Sequence, residues 1–173
     1  MKPKMMVTLV AFVLLGLSIA VPLSAQGNQA KAELSAGAGS IAISYGQPAL
    51  GGRDRVAEQK VGDYWRMGKN QATTITSPVD LTFGSIKVPK GSYSLFLLRE
   101  SPEKYTLVFN SQTGQWGTQH DPAKDVHKVA MTKAPVEPPV ETFTITLSPA
   151  AKGGVLELSW GATKLSAPFE IGK

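Results

Sequence analysis

The chain has 173 residues, with 18 Lys and Arg against 13 Asp and Glu, a formal charge of +5 and no cysteine. This length suits one domain with a real core and is short for two. The missing cysteines exclude thiol catalysis, disulfide exchange and cysteine-based zinc or iron–sulfur sites, and a small cationic surplus without a run of Lys or Arg argues against a nucleic-acid partner.

In chain order, residues 1–25 read as a secretory leader. Lys2 and Lys4 make a positive start, residues 7–21 are uncharged and mostly apolar, and Leu23, Ser24 and Ala25 form a cleavage-like end. The apolar run is shorter than the roughly 20 residues a membrane span needs, and Pro22 follows it. The expected protein is therefore exported, periplasmic or extracellular, with no membrane span once the leader is gone. The lack of a Cys at the cleavage point argues against a lipid anchor. Residues 26–38 are small and polar and are expected to be a flexible lead-in. Residues 39–173 are expected to form a single domain.

From Ser40 onward the recurrent signal has period two. Ile41, Ile43 and Tyr45 alternate with small or polar neighbours, as do Val79, Leu81 and Phe83, then Phe143, Ile145 and Leu147, then Leu156, Leu158 and Trp160. Such alternation sends one set of side chains to a core and the other to water, the mark of a half-buried strand. Segments 93–98 and 105–109 are apolar on nearly both faces and read as central strands joined by the polar loop 99–104. Gly84-Ser85, the Pro89–Gly91 step and Gly153-Gly154 are turn signals, and segments 126–131 and 165–171 complete roughly eight to ten short strands. Residues 55–60 suit one helical turn. The Pro-rich segment 133–139 reads as a stiff connector on an edge or in a loop. The predicted fold is all-β, an antiparallel β-sandwich of two sheets, with a jelly roll as one form of it.

Two blocks carry candidate chemistry. Residues 63–74 hold Trp65, Arg66 and Asn70, with Arg53 upstream. An Arg fork recognises carboxylate or phosphate, and a Trp face stacks on a sugar ring. The competing reading makes Trp65 core, pairs Arg66 with Asp63 and uses Asn70 to hold a turn. The second block runs from Trp116 to His127. Its His120, Asp121, Asp125 and His127 suggest a metal or acid–base cluster, although the spacing is no recognised ligand pattern. Asp125 and His127, two apart on a strand, would share a face, while Asp121-Pro122 equally suits a turn. No G-x-S-x-G elbow, phosphate loop or selected pair of carboxylates is present.

A resemblance links these blocks. Tyr45-Gly46-x-Pro48, Gly52-Arg53, Trp65-Arg66-x-Gly68-x-Asn70-x-Ala72-Thr73-Thr74, Pro89-x-Gly91-x-Tyr93-Ser94-Leu95-Phe96, Phe109-Asn110, Gln115-Trp116-Gly117, Asp125-Val126 and Glu141-x-Phe143-Thr144-Ile145 occur in order. Together they resemble the bacterial family catalogued as domain of unknown function 2911, over about residues 40–171. The resemblance implies an exported β-sandwich and assigns no activity or catalytic residue. His120 stands where it leads one to expect an aromatic, and Lys128 where it leads one to expect an Arg. If that Arg joined Arg53 and Arg66 in an anion site, Lys128 would keep the charge and lose the fork.

The leading expectation is a non-catalytic module for a small anionic or sugar-like ligand, held by Arg53, Trp65, Arg66 and Asn70 with Trp116 as a stacking wall. It requires no cofactor. The first alternative is a hydrolase, with or without a metal, built on His120, Asp121, Asp125 and His127. The second is a structural or interaction protein of the cell envelope. Oligomeric state is left open.

Overall fold

The computed structural model describes residues 29–37 and 39–172, so the leader and the first residues of the lead-in lie outside the described residues. The elements are β1 (Gln29–Ala36), β2 (Gly39–Gly46), α1 (Arg55–Glu58), β3 (Tyr64–Trp65), β4 (Thr73–Ser77), β5 (Leu81–Phe83), β6 (Ile86–Val88), β7 (Gly91–Ser101), β8 (Lys104–Asn110), a 3-10 turn (Pro122–Lys124), β9 (Asp125–Ala150) and β10 (Gly153–Ile171).

The all-β expectation holds, and the two layers prove to be one sheet. Its hydrogen-bonded order is β1-β2-β4-β7-β8-β9-β10-β5-β6, with β3 added on β7. The 26-residue β9 makes this continuity. Its first residues pair with β8 and the rest with β10, so one strand carries the sheet from layer to layer. The sheet then folds onto itself. Phe83 of β5 meets Phe109 of β8 with ring centroids 5.6 Å apart. Tyr45 of β2 donates its hydroxyl to the Ile145 carbonyl of β9 at 3.4 Å and accepts from the Ile145 N–H at 3.1 Å. Burying each such aromatic contributes roughly 1.5–3 kcal/mol, which a chain without cross-links depends on.

The β7–β8 hairpin is central, as its two-sided apolarity predicts. Leu95, Leu97, Leu107 and Phe109 enter the main core. Phe96 and Val108, on the opposite face, pack with Ala72 under Tyr64 and Leu98. Segment 111–121 covers that outer face: the Gln115 side chain accepts from Ser94 Oγ at 3.3 Å, and its carbonyl accepts from the Ala72 N–H at 3.2 Å.

Two expectations change. Most of the supposed flexible lead-in is β1, paired residue for residue with β2. Its inward residues Ala30, Ala32, Leu34 and Ala36 do alternate with Lys31, Glu33 and Ser35, but three are alanines and the signal is weak. The Pro-rich connector is also strand, inside β9. Thr132 to Pro135 pair with β10, pairing resumes at Val140, and Val136 to Pro139 bulge out between. Pro138 and Pro139 sit where the ladder is interrupted, which fits their missing N–H, while Pro135 is the last paired residue before the bulge.

Candidate functional site

The β9 distortion continues between its pairings of Val140 with Gly161 and Thr144 with Ser159. There β9 turns its backbone to another segment. The Leu50 N–H donates to the Glu141 carbonyl at 2.6 Å, and the Phe143 N–H donates to the Pro48 carbonyl at 2.9 Å. Residues 48–50 are thereby fixed along the bulge. The chain turns through Gly51 and Gly52 and enters α1. Asp54 caps α1, accepting from the Val56 and Ala57 N–H groups at 3.0 Å each. The Asp54 carboxylate fills the space where a β-carbon on Gly161 would lie, and Gly161 itself has φ of 56°. The bulge therefore seats the helical turn that presents Arg53 and Arg55.

The other wall comes from the end of β3. Trp65 is half-buried, stacked on Trp160 with centroids 5.4 Å apart and planes 13° apart, and it meets Phe143 edge-on at 5.0 Å. After it, Met67 and Asn70 both adopt left-handed backbone conformations, with φ of 52° and 65°. That costs on the order of 1 kcal/mol each and persists only where the surroundings fix it. Here Thr73 Oγ1 donates to the Met67 carbonyl at 2.7 Å, and the Lys69 N–H donates to the Gly46 carbonyl at 3.3 Å. Arg66 Nε donates to the Gly68 carbonyl at 3.2 Å. The stem of Arg66 lies against Gly117, where a β-carbon would overlap it. The Gly117 N–H in turn donates to the Asn70 carbonyl at 2.9 Å.

Between these walls lies a cavity of about 510 Å³ bounded by Arg53, Arg55, Arg66 and Lys69 with Trp65 and Trp160. Arg53 pairs with Glu58 at 3.2 Å. Among the described residues, no carboxylate forms an ion pair with Arg55, Arg66 or Lys69. Burial, and secondarily the like charge of Arg55, holds the Arg66 guanidinium below its usual range. An anion entering the cavity would meet the Arg66 guanidinium already held by its bond to the Gly68 carbonyl.

Of the residues expected at a binding site, Arg53, Trp65 and Arg66 converge and two do not. Asn70 is exposed and holds its turn through a left-handed φ, a conformation Asn tolerates. Trp116 is 49% exposed, bridged to Gln71, and does not line the cavity. Trp160, which in the sequence looks like an ordinary inward strand residue, lines the cavity instead, stacked on Trp65. Arg55 and Lys69 were also missed. Lys128 is on β9, close enough to Glu100 to act on its charge, and does not line the cavity.

The second block is divided. His120 and Asp125 are hydrogen-bonded at 2.8 Å, with side chains 12% and 4% exposed. Asn110 Nδ2 also donates to Asp125 Oδ1, at 2.8 Å. The His120 ring lies against Tyr64 and Phe96, at 4.3 and 4.4 Å, so it fills an aromatic's place. Asp121 instead caps the 3-10 turn through the Ala123 N–H at 3.0 Å. His127 pairs with Phe109 while Asp125 pairs with Asn110, and a register shift separates the two pairs. Partners share a face and Phe109 and Asn110 point oppositely, so Asp125 and His127 do not share a face. Among the described residues, no group of three or more His, Asp or Glu is placed to hold a metal. No helix among them is long and apolar enough to cross a membrane.

A β-rich chain with these motifs in this order falls in a class of β-proteins without assigned activity. Residues 27–169 match the family model described as protein of unknown function (DUF2911), and the chain belongs to that family. No curated protein and no solved structure matches the chain.

Proposed function

We propose that the protein is a non-catalytic binding module whose cationic cavity takes a small anionic ligand with a sugar-like body. The observation that carries this reading is the gathering of Arg53, Arg55, Arg66 and Lys69 on one cavity, with a carboxylate paired only to Arg53. Like charges brought together without counterions repel, and an anion relieves that repulsion while accepting charge-assisted hydrogen bonds. Trp65 adds a flat apolar surface beside them.

Isothermal titration with inorganic phosphate, citrate and galacturonate tests it. Binding should weaken as salt rises. Arg66→Ala should lower affinity at least about tenfold, as expected when a charged hydrogen-bond donor is lost. Absence of binding by all three anions, or equal binding by Arg66→Ala, would overturn the reading. The proposed setting is outside the cytoplasm, supported by the leader-like residues 1–25. N-terminal sequencing of the secreted or periplasmic product should find cleavage near Ala25; an intact leader on the working protein would contradict export.

A further inference from the structure

The cation-lined cavity carries more positive charge than a singly charged ligand neutralises. Arg53, Arg55, Arg66 and Lys69 line it, and no carboxylate does. Glu58 pairs with Arg53 alone. Two further carboxylates lie close by and are engaged with backbone. Asp54 accepts from the Val56 and Ala57 N–H groups, and Glu141 Oε1 accepts from the Gly51 N–H at 3.3 Å. Among the described residues neither forms an ion pair. Arg55, Arg66 and Lys69 are therefore the cations left for a ligand, one from α1 and two from the turn after β3.

These donors discriminate between acid groups. Arg66 spends its Nε on the Gly68 carbonyl at 3.2 Å, so its remaining donors are the terminal Nη groups. Arg55 is near enough for its like charge to act on Arg66. An anion that accepts from both relieves that repulsion, and relieves it more the more charge it brings. A carboxylate has two oxygens and one charge. A sulfate monoester has three terminal oxygens and one charge. A phosphate monoester has three terminal oxygens and close to two charges at neutral pH. Of the three groups it alone offers an oxygen to each cation and more than a single charge. The cavity, of about 510 Å³, is of the size that holds a whole small molecule. A body esterified to the phosphoryl group has room there beside the half-buried Trp65.

We propose that the cavity selects a phosphate monoester of a small hydroxylated compound over a carboxylate or sulfate of the same body, with Arg55, Arg66 and Lys69 each taking a terminal phosphoryl oxygen. This rests on the anion-binding reading and names the acid group it favours.

Titration of the full chain at mildly alkaline pH, where the phosphoryl group carries its second charge, tests it. The probes are galactose phosphate, galactose sulfate and galacturonate, each with its acid group at the sixth carbon. The phosphate should bind at least about tenfold tighter than either of the others. Arg55 is exposed and Lys69 is only partly buried, so both tolerate replacement. Arg55→Met and Lys69→Met should each weaken phosphate binding more than sulfate binding, so that the preference shrinks. Lys128→Met removes a cation that does not line the cavity and should leave every affinity within about twofold of wild type. Equal binding of phosphate and sulfate, tighter binding of galacturonate, or a preference that survives both cavity substitutions overturns the phosphoryl assignment and leaves the anion reading standing. A preference that shrinks equally in Lys128→Met does the same, because it would belong to overall charge. Failure of all three probes overturns both.

Discussion

The two polar blocks of this chain have opposite electrostatic fates. At the end of β3, cations are collected beside a cavity and mostly left without counterions. Over the outer face of β7 and β8, an imidazole and a carboxylate are buried against each other and roofed by aromatic rings. In sequence the His/Asp block looks the more chemical. In the fold His120 and Asp125 Oδ1 bond each other while Asp125 Oδ2 stays buried without a partner, and the pair fastens segment 111–121 to the sheet. Functional capacity is better read from groups the fold gathers on an open cavity than from the reactivity of residue types.

The hardest way to break this contrast is to remove half of the buried pair. Asp125→Ala leaves His120 and the Asn110 amide without their shared acceptor, and His120→Ala removes a ring packed on Tyr64 and Phe96. Each should cost about 3 kcal/mol in urea denaturation, the scale for leaving one partner of a buried pair alone. Unchanged stability with lost activity toward any substrate would return the His/Asp block to a catalytic role.

Much of the fold was legible because strand alternation is local. The β7–β8 hairpin, the Gly84-Ser85 turn between β5 and β6, and the inward faces of β2, β9 and β10 all follow from it. β1 was missed because alanines mark its inward face. The pairing of Asp125 with His127 failed because one register shift reverses facing, and a shift depends on the partner strand. Arg53 and Arg66 were legible as charge carriers. Their meeting with Arg55, Lys69 and Trp160 was not, since Trp160 arrives from β10 by way of the Pro-rich bulge, a tertiary event.

Acid sharpens the contrast from another side. The Asp80 carboxyl is held below the ordinary carboxylate range, first by the Lys90 N–H and then by Lys87. Glu100 is lowered first by Lys104 and then by Thr106. A carboxyl whose folded-state pKa is depressed stabilises the fold above its unfolded pKa, and that contribution disappears as pH falls through the folded value. Stability should therefore decline from about pH 4 downward. In thermal melts from pH 7 to 2, Asp80→Asn and Glu100→Gln should each flatten part of the decline. The cavity's arginines keep their charge throughout this range. Affinity for a strong-acid anion should thus stay constant down to the onset of unfolding; an affinity that titrates near neutral pH would implicate a group outside the cation cluster.

The smallest expected effect is the most discriminating. Arg66 is partly buried, is near the like charge of Arg55 and has no carboxylate partner among the described residues. Its side chain returns to the fold one hydrogen bond to the Gly68 carbonyl and the packing of its stem on Gly117. Removing it forfeits those contacts but relieves repulsion and desolvation, so the opposing changes should nearly cancel. Arg66→Ala should shift unfolding free energy by no more than about 0.5 kcal/mol, the range typical of surface substitutions, while anion affinity falls. Chemical denaturation without ligand measures the first and titration the second. A loss of 2 kcal/mol or more on that scale would make Arg66 a structural cation like the Asp125 carboxylate is a structural anion, and the difference between the two blocks would vanish.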